Sequence, residues 1–350
     1  MKTLRTAVIG LGRIGWQFHV PQVLQHDGFD LAAVVDPLQE RLDEARSGFG
    51  IDGYLTYSAL LDTEQLDLVV IASPTRFHAD QATAAFERGC DVFCDKPLAQ
   101  SLEEADRMIA SMQRHGQKLT VYQPHRARAE VVALQEILRK DLIGPVYMMK
   151  RARSAYTRRN DWQAFRKHGG GMLNNYGAHV IDQLLYLAES RAKRTACVLR
   201  TVASLGDADD VVKAVIETEN GIVLDVDINM ASGHLMPPWQ ILGERGSIVF
   251  DEESDAWRVR FFRPSELADI AVHDVLAAPA RRYGSGETIP WQEAVFPLSD
   301  FQPIDFYERC YDYFALDKDP FVPIAETREL MRVLDACRKD AEGRSYPRPM

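Results

Sequence analysis

Two side chains far apart in the chain have the chemistry of a proton-transfer pair. Lys96 stands in Asp95-Lys96-Pro97, directly after the apolar run Asp91–Cys94, and the proline biases its backbone toward an extended conformation. An ammonium held in a cleft can orient a hydroxyl and stabilise alkoxide-like charge on its oxygen. His179 lies in the block Gly169-Gly170-Gly171-Met172-Leu173-Asn174-Asn175-Tyr176-Gly177-Ala178-His179-Val180-Ile181-Asp182, four residues after Asn175, so on a helix the two share a face. A neutral imidazole is a natural proton acceptor near neutral pH. Each residue alone has a plainer reading, a solvated surface lysine and a packed or capped histidine. Proton transfer at a hydroxyl, as in alcohol oxidation, would use both; the residues alone leave the plainer readings open.

Such a reaction needs a hydride acceptor, and the start of the chain offers a site for one. Gly10-Leu11-Gly12-Arg13-Ile14-Gly15 follows the apolar run Thr6–Ile9 and opens a helical stretch, Trp16 to Gln25. A second apolar run, Leu31–Val35, ends in Asp36. This spacing is the dinucleotide fingerprint. Gly10 allows the tight turn, Gly12 lets the backbone approach a pyrophosphate, and Gly15 lets the helix lie on the strand. Arg13 and Ile14, between the glycines, are expected beside the phosphates that the free N–H groups at the helix start meet. Asp36 accepts from ribose hydroxyls and repels a 2′-phosphate, which predicts NAD over NADP, with Arg41 softening the preference. Ser73, Pro74, Thr75 and His78 follow the run Leu68–Ala72, and Asp95 with Lys96 follows the next one, so both turns are expected at the cofactor. Gln123, leaving the run Lys118–Tyr122, is expected at the nicotinamide ribose. His125 and Arg126 point from there toward the same cleft, with linker packing as an equal reading.

The elements that must position these residues are legible as a pattern. Apolar runs at Thr6–Ile9, Leu31–Val35, Leu68–Ala72, Asp91–Cys94 and Lys118–Tyr122 alternate with helical stretches at Pro37–Ser47, Ser58–Leu61, His78–Arg88 and Ser101–His115. Alternation of this kind predicts a doubly wound parallel sheet, a Rossmann domain. Ser101-Leu102-Glu103-Glu104 is a capping-box pattern, and Gly89 is expected as a left-handed C-cap. After Tyr122 come a helix near Ala129–Lys140, a strand near Val146–Ala155 and a polar loop, Tyr156 to His168. In that loop Trp162 can stack on a sugar ring and Arg158 or Arg159 can meet a carboxylate. A plain solvated loop is the equal alternative. Alternating segments at 196–203, 211–218, 222–230, 239–242, 247–250 and 257–262 predict an open, largely antiparallel sheet with one wet face, with Asn220-Gly221 as a hairpin turn. Pro264 to Pro297 reads as irregular, and helices near Ile304–Ala315 and Ala325–Glu342 close the chain. The expected division is a nucleotide-binding domain over 1–124 and an α+β substrate and oligomerisation domain over 125–350.

Composition narrows the function classes. The 350 residues are enough for two cores, and the net charge of −10 argues against nucleic acid as a partner. No stretch of about 18 consecutive apolar residues predicts a membrane span, and the N-terminus does not read as a signal peptide. The five cysteines, Cys90, Cys94, Cys197, Cys310 and Cys337, are scattered and odd in number, which fits reduced thiols in a cytoplasmic protein rather than a disulfide framework. Asp95, His78 and His179 lack metal-ligand spacing, so no metal is expected.

The glycine fingerprint, Ala72-Ser73-Pro74-Thr75-Arg76-Phe77-His78, Asp95-Lys96-Pro97 and the Gly169–Asp182 block together resemble the Gfo/Idh/MocA family of sugar and cyclitol oxidoreductases. The resemblance implies an NAD(P)-binding domain, an open-sheet substrate domain and a homodimer or homotetramer. It also implies that Lys96 and His179 line the substrate pocket. Two residues depart from the family pattern. Asp95 stands where glutamate is usual, which keeps the carboxylate and shortens its reach. Asn175 stands where many members have aspartate; its amide can still bind a hydroxyl but cannot favour a protonated His179 by charge. The implied reaction is hydride transfer between a secondary alcohol of a sugar or cyclitol and NAD, with Lys96, His179 and Asn175 catalytic and Arg158 and Trp162 beside the substrate. Asn175 keeps two alternatives open: a lyase or hydrolase that retains NAD and oxidises its sugar transiently, and a non-catalytic sugar- or NAD-binding regulator.

Overall fold

Short runs of valine and isoleucine that are buried on both sides can only be central strands of a covered parallel sheet. The computed structural model, which describes residues 2–270, 272 and 287–342, shows this for the first third of the chain. Strands β1 (Leu4–Ile9), β2 (Phe29–Val35), β3 (Gly53–Tyr54), β4 (Leu68–Ile71), β5 (Asp91–Asp95) and β6 (Leu119–Tyr122) form one sheet in the order β3-β2-β1-β4-β5-β6. Every ladder in it is parallel. Helices α1 (Val20–Gln25), α2 (Gln39–Phe49), α3 (Tyr57–Thr63), α4 (His78–Glu87) and α5 (Leu102–His115) connect the strands. β1 has β2 on one side and β4 on the other, so the strand order reverses there. A ligand crevice is expected beyond the carboxyl ends of β1 and β4.

Two local expectations need adjustment. The stretch after the glycine turn starts as a π-turn, Gly15–His19, before α1. The capping box at α5 is only half formed: Ser101 Oγ accepts from the Glu104 N–H at 3.2 Å, while the Glu104 carboxylate takes the N–H of Gln100 at 3.0 Å. Gly89 does adopt a left-handed conformation, at φ 76°.

The second sheet has eight strands: β7 (Val146–Ser154), β8 (Ala192–Arg200), β9 (Val211–Thr218), β10 (Val223–Asn229), β11 (Trp239–Gly243), β12 (Gly246–Asp251), β13 (Ala256–Phe261) and β14 (Gln292–Pro297). Their order is β14-β13-β12-β11-β7-β10-β9-β8, and only the β7–β10 pair is parallel. The Asn220-Gly221 turn joins β9 to β10, as expected. β14 corrects the expectation that Pro264–Pro297 is irregular throughout. Its alternate residues Ala294 and Phe296 pack on the core while Val295 points outward. Residues 271 and 273–286 of that segment lie outside the described residues.

One face of this sheet is buried by α6 (Ala129–Arg139), α7 (Ala178–Ala188) and α9 (Ile324–Glu342). The two sheets are tied at several points. α8 (Phe306–Leu316) places Phe306, Tyr307, Tyr311 and Phe314 in the cluster that also holds Leu4, Val8, Phe29 and Phe93 of the first sheet. Each such buried aromatic or aliphatic side chain contributes about 1.5–3 kcal/mol. α9 packs on both α5 and α7, and its Asp335 accepts the Leu102 N–H at 2.8 Å. The Arg126 guanidinium, buried just after β6, donates to both oxygens of Asp182 on α7 at 2.7 and 2.6 Å and also to Glu326 on α9. No described helix is long and apolar enough to cross a membrane.

Candidate active site

The glycine turn is built by close approaches. Gly10 has φ 93°, and a Cβ there would come within 2.8 Å of the Ser73 backbone nitrogen. A Cβ on Gly15 would meet the Gly10 carbonyl oxygen at 1.9 Å. At Gly12 nothing lies within 4 Å of an added Cβ. So two glycines close the turn and the third leaves open the ground that a pyrophosphate needs. Arg13 is exposed and Ile14 half-buried at the start of the following helix.

Asp36 ends β2 almost completely buried. Its carboxylate accepts from the Leu11 N–H at 2.8 Å and from the Leu38 N–H at 3.0 Å, and Arg41 Nη1 sits 3.0 Å from the oxygen that holds Leu11. The acidic residue therefore fixes the glycine turn and carries a guanidinium at its edge. An open glycine turn and a helix start are the donors that an NAD phosphate requires, and a carboxylate at the end of β2 is the acceptor that its ribose requires.

The second expected cofactor turn is shaped differently from the sequence reading. Ser73 Oγ donates to Gln81 at 2.5 Å, Thr75 is buried and Pro74 exposed. His78 is buried with Nε2 2.8 Å from the Ser73 carbonyl and Nδ1 3.1 Å from the Pro97 carbonyl. Its ring lies between the turn after β4 and the turn after β5, and its single N–H in the neutral form can donate to only one of the two carbonyls. Burial lowers its proton affinity.

Lys96 is held where the two halves of the chain meet. Its Nζ donates to the Asn175 carbonyl at 2.8 Å and reaches the Asn175 Oδ1 at 3.3 Å, while Asp95 turns its carboxylate onto the N–H of Lys96 at 2.8 Å. Burial pulls the lysine down to about 8; Asp95 opposes this and Arg13 adds to it. The glycine block explains how Asn175 arrives there. A Cβ on Gly170 would stand 2.2 Å from the Gln163 carbonyl oxygen, so the chain can pass here only without a side chain. Asp209 then takes the Leu173 N–H at 2.8 Å, and a π-turn, Leu173–Gly177, precedes α7. The wider π-turn presents both the carbonyl and the amide of Asn175 toward Lys96.

His179 sits one turn further on, in the first turn of α7 and nearly buried. Gln123 gives its amide N–H to the Ala178 carbonyl at 3.4 Å, which leaves Oε1 facing His179 Nδ1 at 3.2 Å. Nδ1 therefore carries the proton and Nε2 holds the free lone pair. The ring of His125 stacks on that of His179, with centroids 3.8 Å apart and planes 18° from parallel. Burial first, then the Lys96 charge, competition with His125 for a proton, and the Arg128 charge, hold His179 well below its usual range. His125 is pulled to about 3 by burial and by Arg128, Lys96, Arg151 and Arg153. Both imidazoles are neutral over the working pH range. Such a pair can accept a proton at Nε2 without first losing one.

The structure thus brings Lys96, Asn175 and His179 together. It turns Gln123 onto His179 and makes His125 part of the site. Gln163, unnoticed in the sequence, accepts from the Asn175 amide at 3.1 Å and from Arg159, which also pairs with Asp161 at 3.0 Å. Its signal was only the Asp161 cap on the short turn that it occupies. Arg158 is exposed and Trp162 half-exposed on the same loop, and neither is hydrogen-bonded to the lysine, the asparagine or the histidine.

Comparison with known proteins bears on the family and the fold. Residues 4–123 match a family described as an oxidoreductase family with an NAD-binding Rossmann fold, and residues 131–249 match the GFO/IDH/MocA C-terminal domain. The chain belongs to the Gfo/Idh/MocA oxidoreductase family. Relatives of this Gfo/Idh/MocA chain include D-apiose dehydrogenase of Paraburkholderia graminis, 28% identical over 66% of this chain and 62% of that one. Inositol 2-dehydrogenase of Streptomyces avermitilis is 30% identical over 66% of this chain and 67% of that one. The matched segment spans 62% and 58% of the first two relatives' own lengths. A crystal structure of an NAD-binding protein from Listeria innocua superposes with a TM-score of 0.84 at 23% identity, covering 98% of both chains, and shares the fold.

Proposed function

We propose that this Gfo/Idh/MocA chain is an NAD-dependent oxidoreductase that transfers hydride between a secondary alcohol of a sugar, sugar derivative or cyclitol and the nicotinamide. The observation that carries this is the Lys96 ammonium docked on Asn175, four residues before a histidine whose Nε2 is left free. The named substrates of the relatives, apiose and inositol, support the substrate class.

Bound NAD supplies the hydride acceptor. The turn at Gly10, Gly12, Arg13, Ile14 and Gly15 and the Asp36 carboxylate are the residues to hold it, with Ser73, Pro74, Thr75, Asp95 and Lys96 along the neighbouring turns. His179 receives the hydroxyl proton at Nε2, because Gln123 fixes the other nitrogen as the donor. Lys96 donates to the same substrate oxygen and stabilises its growing negative charge, a role that such preorganised donors perform well in a site closed to water. Asn175 holds the lysine and offers an amide to a neighbouring hydroxyl. His125 covers one face of the catalytic ring and keeps it from rotating.

The test is turnover of a panel of inositols, aldoses, uronates and glycosides with NAD and with NADP, followed by reduced-nicotinamide absorbance and product analysis. The reading expects NADH formation from at least one polyol and preference for NAD. His179→Ala should abolish most turnover and leave NAD affinity unchanged. Equal loss of both assigns the histidine a structural role and defeats the mechanism.

A further inference from the structure

One face of β7 carries Met149, Arg151 and Arg153 in alternation, with the methionine in the core, Arg151 half-buried and Arg153 exposed. The Arg151 guanidinium lies 4.3 Å from the Trp239 ring centroid, and that of Arg153 lies 5.1 Å from the ring of Tyr176. Tyr176 follows Asn175 directly, so Arg153 is placed one residue from the group that holds Lys96. Arg128 adds a third guanidinium from the linker side.

The anions of this region are already committed. Asp95 bonds the N–H of Lys96, Asp161 pairs with Arg159, Asp182 pairs with Arg126, and Glu130 lies 3.7 Å from Arg151. Arg153 and Arg128 have no ion pair among the described residues, and position 175, next to the lysine, is a neutral amide. Cations gathered around a polar site without their own counter-ions repel one another until an anion arrives. Arg128 follows His125, whose ring stacks on that of His179, by three residues, and Arg153 stands over the ring next to Asn175.

We infer that the substrate of this site is an anionic polyol, a sugar bearing a carboxylate or phosphate near the hydroxyl served by His179, with Arg153 and Arg128 as its counter-ions. The inference rests on the oxidoreductase reading for its chemistry and on the cationic surround for its specificity. Arginine is suited to the task because its planar fork meets a carboxylate or phosphate with two parallel hydrogen bonds.

The experiment compares hexuronates, hexose 6-phosphates and the matching neutral hexoses, across epimers. It reads kcat/KM with NAD and, in parallel, calorimetric binding to the NAD-loaded protein. An acidic sugar is expected to exceed its neutral counterpart on the order of 10- to 100-fold, the scale of a hydrogen bond to a charged group. Whichever acidic arm leads assigns the anionic group. Arg153→Gln should erase most of that ratio, and Arg153→Lys should keep part of it. Neutral sugars oxidised as well as the acids would leave the oxidoreductase reading standing and overturn the anion site, as would a ratio unmoved by Arg153→Gln. Tight uronate binding that Arg153→Gln weakens, without any NADH, would support the anion site and defeat the redox reading. No preference for acids in either measurement overturns the inference.

Discussion

Gln123→Leu separates the two roles that its place at the end of β6 permits. The substitution preserves volume and removes the amide that faces His179 Nδ1 at 3.2 Å. A buried donor left without its acceptor costs about 1–3 kcal/mol. The imidazole recovers that energy by turning or by moving its proton to Nε2, and either change removes the lone pair that takes the substrate proton. At about 1.4 kcal/mol per factor of ten, the expected loss in kcat is about 5- to 150-fold. The assay is steady-state kinetics with the best polyol, paired with NAD titration by protein fluorescence. NAD affinity should stay at the wild-type value, because the amide is spent on His179 and the Ala178 carbonyl. Gln123→Glu provides the second measurement. It keeps an acceptor at Nδ1, so turnover near neutral pH should exceed that of the leucine variant. A carboxylate there favours the imidazolium and raises the proton affinity of His179, so activity should now fall as pH drops toward 6. If Gln123→Leu weakens NAD binding as much as it slows turnover, the residue serves the cofactor and the tautomer argument is wrong.

Other perturbations test the neighbouring claims. Lys96 is charged below its lowered value of about 8, so kcat/KM should decline as pH rises through that point; in Lys96→Arg the decline should vanish, and a wild-type profile flat to pH 10 would remove the ammonium from the mechanism. Asp36→Ala frees Arg41 from an ion pair at 3.0 Å. The NADP-to-NAD ratio of kcat/KM should then rise on the order of tenfold, as a charge-assisted bond to phosphate replaces repulsion, and an unchanged ratio contradicts the ribose role. Arg126→Met strands the buried Asp182; denaturant unfolding should show a loss of about 3–5 kcal/mol, and a loss below about 1 kcal/mol would mean that the ion pair does not clamp the linker to α7.

What could be read from the residues was mostly local. Short apolar runs give five of the parallel strands within a residue or two, because burial on both faces leaves an uninterrupted signature. Arg41 reads from the sequence only as a residue that softens the preference for NAD; its ion pair with Asp36 at 3.0 Å is shown by the structure alone. β14 escaped because its alternation, Ala294 against Val295, is brief and sits beside prolines and polar turns. The two-residue β3 was too short to show a period. His78 is expected at the cofactor from its place after a strand; that its ring lies buried between the carbonyls of two separate turns depends on tertiary contact. The stacking of His125 on His179 and the reach of Gln163 to Asn175 depend on chain segments that meet only when both sheets are assembled. No spacing in the sequence encodes such meetings.

The placement of α8 bears on how this protein can be taken apart. A fragment ending at the last strand of the first sheet would leave Phe29 and Phe93 without Phe306, Tyr307 and Phe314, the rings that cover them. The nucleotide half is therefore not a detachable cassette. Its hydrophobic interior is finished by a helix that follows every strand of the second sheet, so the nucleotide half closes only after those strands have been made. Any graft of this half onto a foreign partner would have to carry the distant helix along with it.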